Sequence, residues 1–146
     1  MEKLTLEYLA PYLPYKLVLG LTNSHAPIIC TGLTIHEDGI MAHHKKGSVN
    51  VSLEKWYKPI LRPMSDLLKV ISHNGKKICL VEWLEDFYCT LDLHEQAIRL
   101  TNDIRWVNQC DYMLIVHLIE HHFDVFGLIE KGLAISIHDV KEVQNG

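Results

Sequence analysis

The stretch Asp111–Ala134, DYMLIVHLIEHHFDVFGLIEKGLA, holds the longest helical pattern in the chain and its clearest helix stop. Tyr112, Ile115, Val116, Ile119 and Phe123 recur at helical spacing, and Met113, Leu114 and Leu118 widen the stripe until it nearly encircles the axis. The pattern predicts an interior helix over Asp111–Phe123, with Asp111 as its N-cap. After Phe123 the pattern restarts. Asp124 is a second cap, Val125–Lys131 a short helix, and Gly132 the left-handed residue that ends it.

Upstream, alternation and turn chemistry predict strands. Tyr15–Leu21 and Ile28–His36 are rich in apolar and β-branched residues, and Glu37-Asp38-Gly39 is a tight-turn sequence that returns Ile40–His44 antiparallel to the second. A turn at Lys45-Lys46-Gly47 leads into Ser48–Leu53, where Val49, Val51 and Leu53 alternate with polar residues. Lys76–Trp83 supplies a fifth strand. Trp56–Pro63 carries two prolines and reads as a crossing segment rather than a central strand, because each proline removes a backbone donor. Short helices are expected over Leu6–Leu13 with Thr5 as cap, from Ser65 or Asp66 through Ser72 with His73-Asn74-Gly75 ending it, and over His94–Leu100. Leu84–Thr90 has no decided pattern, Thr101–Gln109 is weakly patterned, and Ala134–His138 is a strand or an extended tail. The sum is an α+β fold in one domain, 1–146. A bent antiparallel sheet of about five strands packs with the C-terminal core helix and the short helices.

Composition narrows the class. With 14 Lys plus Arg against 18 Asp plus Glu, the formal charge of -4 supplies no general attraction to nucleic acid or an anionic membrane. No apolar run approaches the ~18 residues that a membrane span needs. Cys30, Cys79, Cys89 and Cys110 are dispersed without a CxxC pair, which fits reduced core thiols and a cytoplasmic setting better than zinc or disulfides. The N-terminus lacks the basic region and unbroken apolar run of a signal peptide.

Three blocks carry a resemblance: LTLEYLAPYLPYKL at Leu4–Leu17, KPILRPMSDL at Lys58–Leu67 and HFDVFGLIEKGLAI at His122–Ile135. Together, over about a quarter of the chain, they resemble a group of small proteins of Bacteroides-type gut bacteria, their phages and integrated mobile elements. The resemblance implies a genetic setting, that of a phage or mobile-element accessory gene. It carries over no activity and no functional residue.

Chemistry is sparse. His117-Leu-Ile-Glu120-His121 has the HxxEH order of an inverted zinc-peptidase motif, with Glu120 as base and Glu130 or Glu142 as candidate third ligand. Ten histidines in 146 residues make chance pairings common, and a polar edge on a core helix accounts for the spacing. His43 and His44 point to opposite faces of a strand, while His36 lies across a turn from them. Ser24-His25 lacks the flanks of a nucleophile elbow. Neither a GxxxxGK[ST] nor a GxGxxG loop occurs. Trp56, Tyr57, Lys58 and Arg62 gather stacking surfaces and cations able to hold a base and a phosphate, and they form the candidate ligand-binding set. No catalytic residue, metal site or cofactor is expected. The expected protein is a non-enzymatic binder of a host protein or a small anionic ligand, acting against host defence. A metal-dependent hydrolase and a self-associating structural homo-oligomer are the alternatives.

Overall fold

The computed structural model describes residues 4–21, 27–37, 39–51, 57–73, 75–88 and 92–139. The fold is α+β, and the chain forms two compact units, Met1–Leu61 with Leu128–Gly146, and Arg62–Gly127.

The first unit is built on strands. It opens with α1 (Leu6–Leu9), which continues as a 3-10 turn over Ala10–Tyr15. Thr5 holds the N-cap position without a side-chain hydrogen bond, and the prolines tighten the helix instead of ending it. Strands β1 (Val18–Leu21) and β2 (Ile28–Ile29) pair antiparallel; β3 (Gly32–His36), β4 (Gly39–His44) and β5 (Gly47–Asn50) form a separate antiparallel sheet. The expected second strand thus divides at Cys30-Thr31 between two sheets. The Cys30 N–H donates to Leu17 O, whereas the Thr31 N–H donates to His43 O.

The Trp56–Pro63 expectation is corrected: Tyr57–Leu61 is a strand, β6, inside the order β2-β1-β6-β9. Its antiparallel partner is β1, with Pro59 opposite Leu19, and its parallel partner is β9 (Ile135–Ser136), which reaches only Ile60 and Leu61. Pro59 therefore lies outside the short ladder with β9, where among the described residues that side of the strand has no partner and a missing donor is tolerated. Gly20 lets β1 come close to this strand, since a Cβ there would stand 2.7 Å from Ile60 Cδ1.

Among its described residues, the second unit holds a hairpin and three α-helices. The helix expected through Ser72 is only a 3-10 turn, Met64–Asp66; β-branched Val70 and Ile71 then enter β7 (Val70–His73). This strand pairs with β8 (Lys76–Cys79) in a two-stranded hairpin, with Gly75 at φ 79°. The fifth strand expected over Lys76–Trp83 is shorter, because α2 (Leu80–Phe87) begins immediately after Cys79, and among the described residues it pairs with β7 alone. Its Leu80, Val81 and Leu84 are buried on one face. The expected helix near His94–Leu100 is α3 (Leu93–Asn102), which packs on α2 and on the Met64–Asp66 turn with Leu93, Ala97 and Leu100 inward.

The decisive stretch forms α4 (Tyr112–Glu120), shorter than expected. Asp111 holds the N-cap position, but its carboxylate accepts from Gln96 Nε2 while its N–H donates to Gln96 Oε1 at 2.8 Å. Leu114 and Leu118 are buried, whereas Tyr112 is 78% exposed, so the helix rests on the unit by one face and is not interior all round. The helix ends at His121. His122 has φ 62°, its N–H donates to Ile119 O at 3.0 Å, and the Phe123 N–H donates to Leu118 O at 2.9 Å. Those two bonds are a Schellman closure with His122 at C′, the position that favours glycine. The short helix expected over Val125–Lys131 is replaced by consecutive turns. Gly132 takes the expected left-handed conformation at φ 74°.

Candidate functional site

Of the expected ligand set, Trp56 lies outside the described residues, and the other three are described each within its own unit. Tyr57 and Lys58 are half-buried neighbours on β6, so their side chains leave the strand on opposite faces. Arg62 belongs to the second unit and is 8% exposed.

The HxxEH histidines have separate surroundings. The His117 ring lies 5.6 Å from Trp83 and 6.1 Å from Tyr88, and its Nδ1 is 3.3 Å from Glu120 Oε2, within ion-pair distance but not aligned for a hydrogen bond. His121 folds back so that Nδ1 meets His117 O at 2.8 Å, which makes this nitrogen the donor and caps the end of α4, and its ring stands 4.5 Å from that of His73. Of the candidate third ligands, Glu130 is exposed and Glu142 lies outside the described residues. Among the described residues, no three His, Cys, Asp or Glu side chains form a metal-sized set.

On the β3–β5 sheet, Thr34 Oγ1 lies 3.0 Å from His36 Nε2 and 2.8 Å from His43 Nε2, so one hydroxyl bridges the two imidazoles across the hairpin. His44 faces elsewhere, with Nδ1 accepting from the Lys46 N–H at 3.4 Å. Ser24 and His25 are outside the described residues. Cys30, Cys79 and Cys110 carry free thiols, and burial pushes those of Cys30 and Cys110 up.

A hollow of about 310 Å³ opens beside the 3-10 turn Ile104–Gln109, lined by Asp103, Arg105, Trp106 and Gln109. Trp106 is 40% exposed, with the Arg99 guanidinium carbon 5.1 Å from its ring centroid. Arg99 is itself held by Glu95 at 2.7 Å one turn earlier on α3. Asp103 starts the turn by accepting from the Arg105 N–H, and its carboxylate grips the Arg105 side chain through Nε at 3.1 Å and a terminal nitrogen at 2.8 Å. This pairing holds the Asp103 carboxyl below its ordinary range and raises the Arg105 guanidinium, so neither group changes charge near neutrality. The sequence signal was local: two arginines and a tryptophan within Arg99–Trp106, in a stretch without periodicity.

A second group surrounds Arg62. Its backbone N–H donates to His122 O and its O accepts from the Asp124 N–H, which ties it to the turn after α4. One terminal guanidinium nitrogen donates to Ser72 O at 3.0 Å, while Nε is buried without a partner among the described residues. Burial lowers the Arg62 guanidinium, and Asp66 opposes that shift. His73 follows Ser72, and its ring is 6.1 Å from that of His122 as well as beside His121. Burial, then the charges of His121, His122 and Arg62, push the His73 imidazole down to about 4, against a smaller upward pull from Glu120.

Among the described residues, no helix is long and apolar enough to cross a membrane. No family model matches the sequence, and no curated protein or solved structure matches it either.

Proposed function

We propose that this chain is a non-enzymatic binding protein that holds a planar, singly phosphorylated ligand of nucleotide type in the hollow at Trp106. The observation that carries this reading is an exposed indole with a guanidinium near its ring, inside a hollow of about 310 Å³. That volume is at the small end of ligand sites, which span about 300–1,000 Å³. Stacking on such an indole contributes about 1–3 kcal/mol per base. Gln109 supplies both amide donors and an acceptor for a ring edge, and Arg105, whose side chain is 88% exposed, presents cationic N–H groups to a phosphate. The ionised Asp103 beside it disfavours highly charged anions.

The same geometry favours binding over turnover. A general acid or base works best with a pKa near the working pH, and pairing moves Asp103 and Arg105 away from it in opposite directions. The three-block resemblance supports a phage or mobile-element setting, in which sequestering a small anionic signal in the host cytoplasm would blunt a defence response. Calorimetric titration with adenosine 5′-monophosphate tests the reading. Wild type should bind, and Trp106→Ala should lose about tenfold or more in affinity. Equal binding by the variant, or none by the wild type, overturns it.

A further inference from the structure

A buried guanidinium with a nitrogen left over is costly unless something completes it, because an orphaned buried donor forfeits its hydration. Arg62 is such a group. One of its terminal nitrogens is committed to Ser72 O, and its backbone is committed on both sides of the post-α4 turn, but Nε has no acceptor among the described residues. Asp66, itself buried, offsets part of the charge.

Three imidazoles cluster next to the carbonyl that this guanidinium binds. His73 follows Ser72 in sequence, and the rings of His121 and His122, from the turn after α4, stand 4.5 and 6.1 Å from that of His73. Two of these positions have easier alternatives. His122 occupies the left-handed C′ position of a Schellman closure, where a side chain with a Cβ is disfavoured and glycine fits without strain. His73 is packed against groups that oppose its protonation, at the end of a strand where many residues would serve.

We infer that Arg62, His73 and His122 form a binding site for a phosphate-class oxyanion, distinct from the hollow at Trp106. Such an anion would supply the acceptor that Arg62 Nε lacks and give a protonated His73 the counter-charge that its neighbours oppose. His121 is tied by Nδ1 to His117 O and acts as a wall of the site. The other charges facing His73 are Glu120 at the end of α4 and Lys76, its register partner across the β7–β8 hairpin; Asp66 and Asp124 flank Arg62. Glu120 opposes the anion, and binding is favoured in acid, where the His73 imidazole takes up a proton as the ligand enters.

The test is an NMR titration of the His73 ring in excess inorganic phosphate against chloride at equal ionic strength, with a parallel arm in glycerol phosphate. The His73 midpoint should rise from about 4 by about one unit or more with phosphate. With a one-unit rise, affinity should be about fivefold higher at pH 4 than at pH 7.5, with little change between pH 7.5 and 6. A response to both ligands identifies a phosphoryl group as sufficient, whereas a response to inorganic phosphate alone identifies the free ion.

His122→Gly separates this site from a purely structural turn. Glycine should raise the thermal midpoint by roughly 2–4 °C by relieving the left-handed residue, while phosphate affinity falls by about tenfold. A more stable variant with unchanged phosphate affinity overturns the site, as does a His73 midpoint indifferent to phosphate. Tight uptake of zinc with no phosphate response would also overturn it, in favour of a metal site. None of these outcomes depends on whether a nucleotide binds at Trp106.

Discussion

The segment Arg62–Gly127 and the strand-rich remainder of the chain bury different things. Around β1 and β6 the inward side chains are apolar: Leu9, Tyr12, Leu17, Leu19, Ile60 and Leu61. Among the described residues, the four buried polar or charged side chains, Arg62, Asp66, His121 and Asp124, all fall in the second segment. So do eight of the ten large apolar side chains that are most exposed, Trp83, Phe87, Trp106 and Tyr112 among them; only Ile29 and Ile35 lie elsewhere. Buried charge and exposed aromatic surface each cost stability or solubility, and natural chains keep such features where they serve recognition. On the proposed reading, the strand-rich unit is the scaffold and Arg62–Gly127 carries recognition.

Leu19→Ala should break the scaffold hardest. The side chain is fully buried, and its loss should cost about 2–5 kcal/mol in denaturant unfolding. The folded fraction should still bind adenosine 5′-monophosphate with wild-type affinity, and loss of that affinity would blur the division.

Acid should act on the second unit. The unfolded His73 titrates near 6.5 and the folded one at about 4, so between these values the unfolded chain holds more protons. The contribution is fully present above pH 6.5, declines as pH falls toward 4, and is gone below it. Thermal midpoints of wild type should therefore fall more steeply over that window than those of His73→Gln; parallel curves would remove His73 from the account.

The smallest effect is expected at Tyr112. Exposed at 78%, it should tolerate serine within about 0.5 kcal/mol in denaturant unfolding, and a large loss would restore α4 to the interior.

The fold class was legible because local signals agreed with the final structure in particular places. Leu93, Ala97 and Leu100 repeat at helical spacing and are the buried face of α3. Glu37 and Gly39 bound a turn between two strands that do pair. Elsewhere tertiary pairing overrode local cues. The prolines of Trp56–Pro63 argued against a strand, yet β6 accommodates Pro59 because β9 pairs only beyond it. The Asn74-Gly75 dipeptide was a hairpin signal read as a helix stop, since the preceding Leu67–Ser72 carries apolar residues at a spacing that fits a helix of that length. The candidate sites were harder still. Arg62 was expected in a ligand set with Trp56, Tyr57 and Lys58, and its burial was not foreseen because burial of a single arginine leaves no periodic mark. His122 gave no sign of a C′ position because the pattern there is usually written with glycine. Trp106 lay in a stretch whose 3-10 winding has no apolar period to detect.

Backbone amide chemical-shift mapping of the intact chain during addition of adenosine 5′-monophosphate tests the division of labour most directly. Shifts should concentrate in Arg99–Gln109, with the amides of β1, β4 and β6 unmoved. Shifts centred on those strands, or a saturating response that leaves Trp106 and its neighbours unchanged, would contradict it.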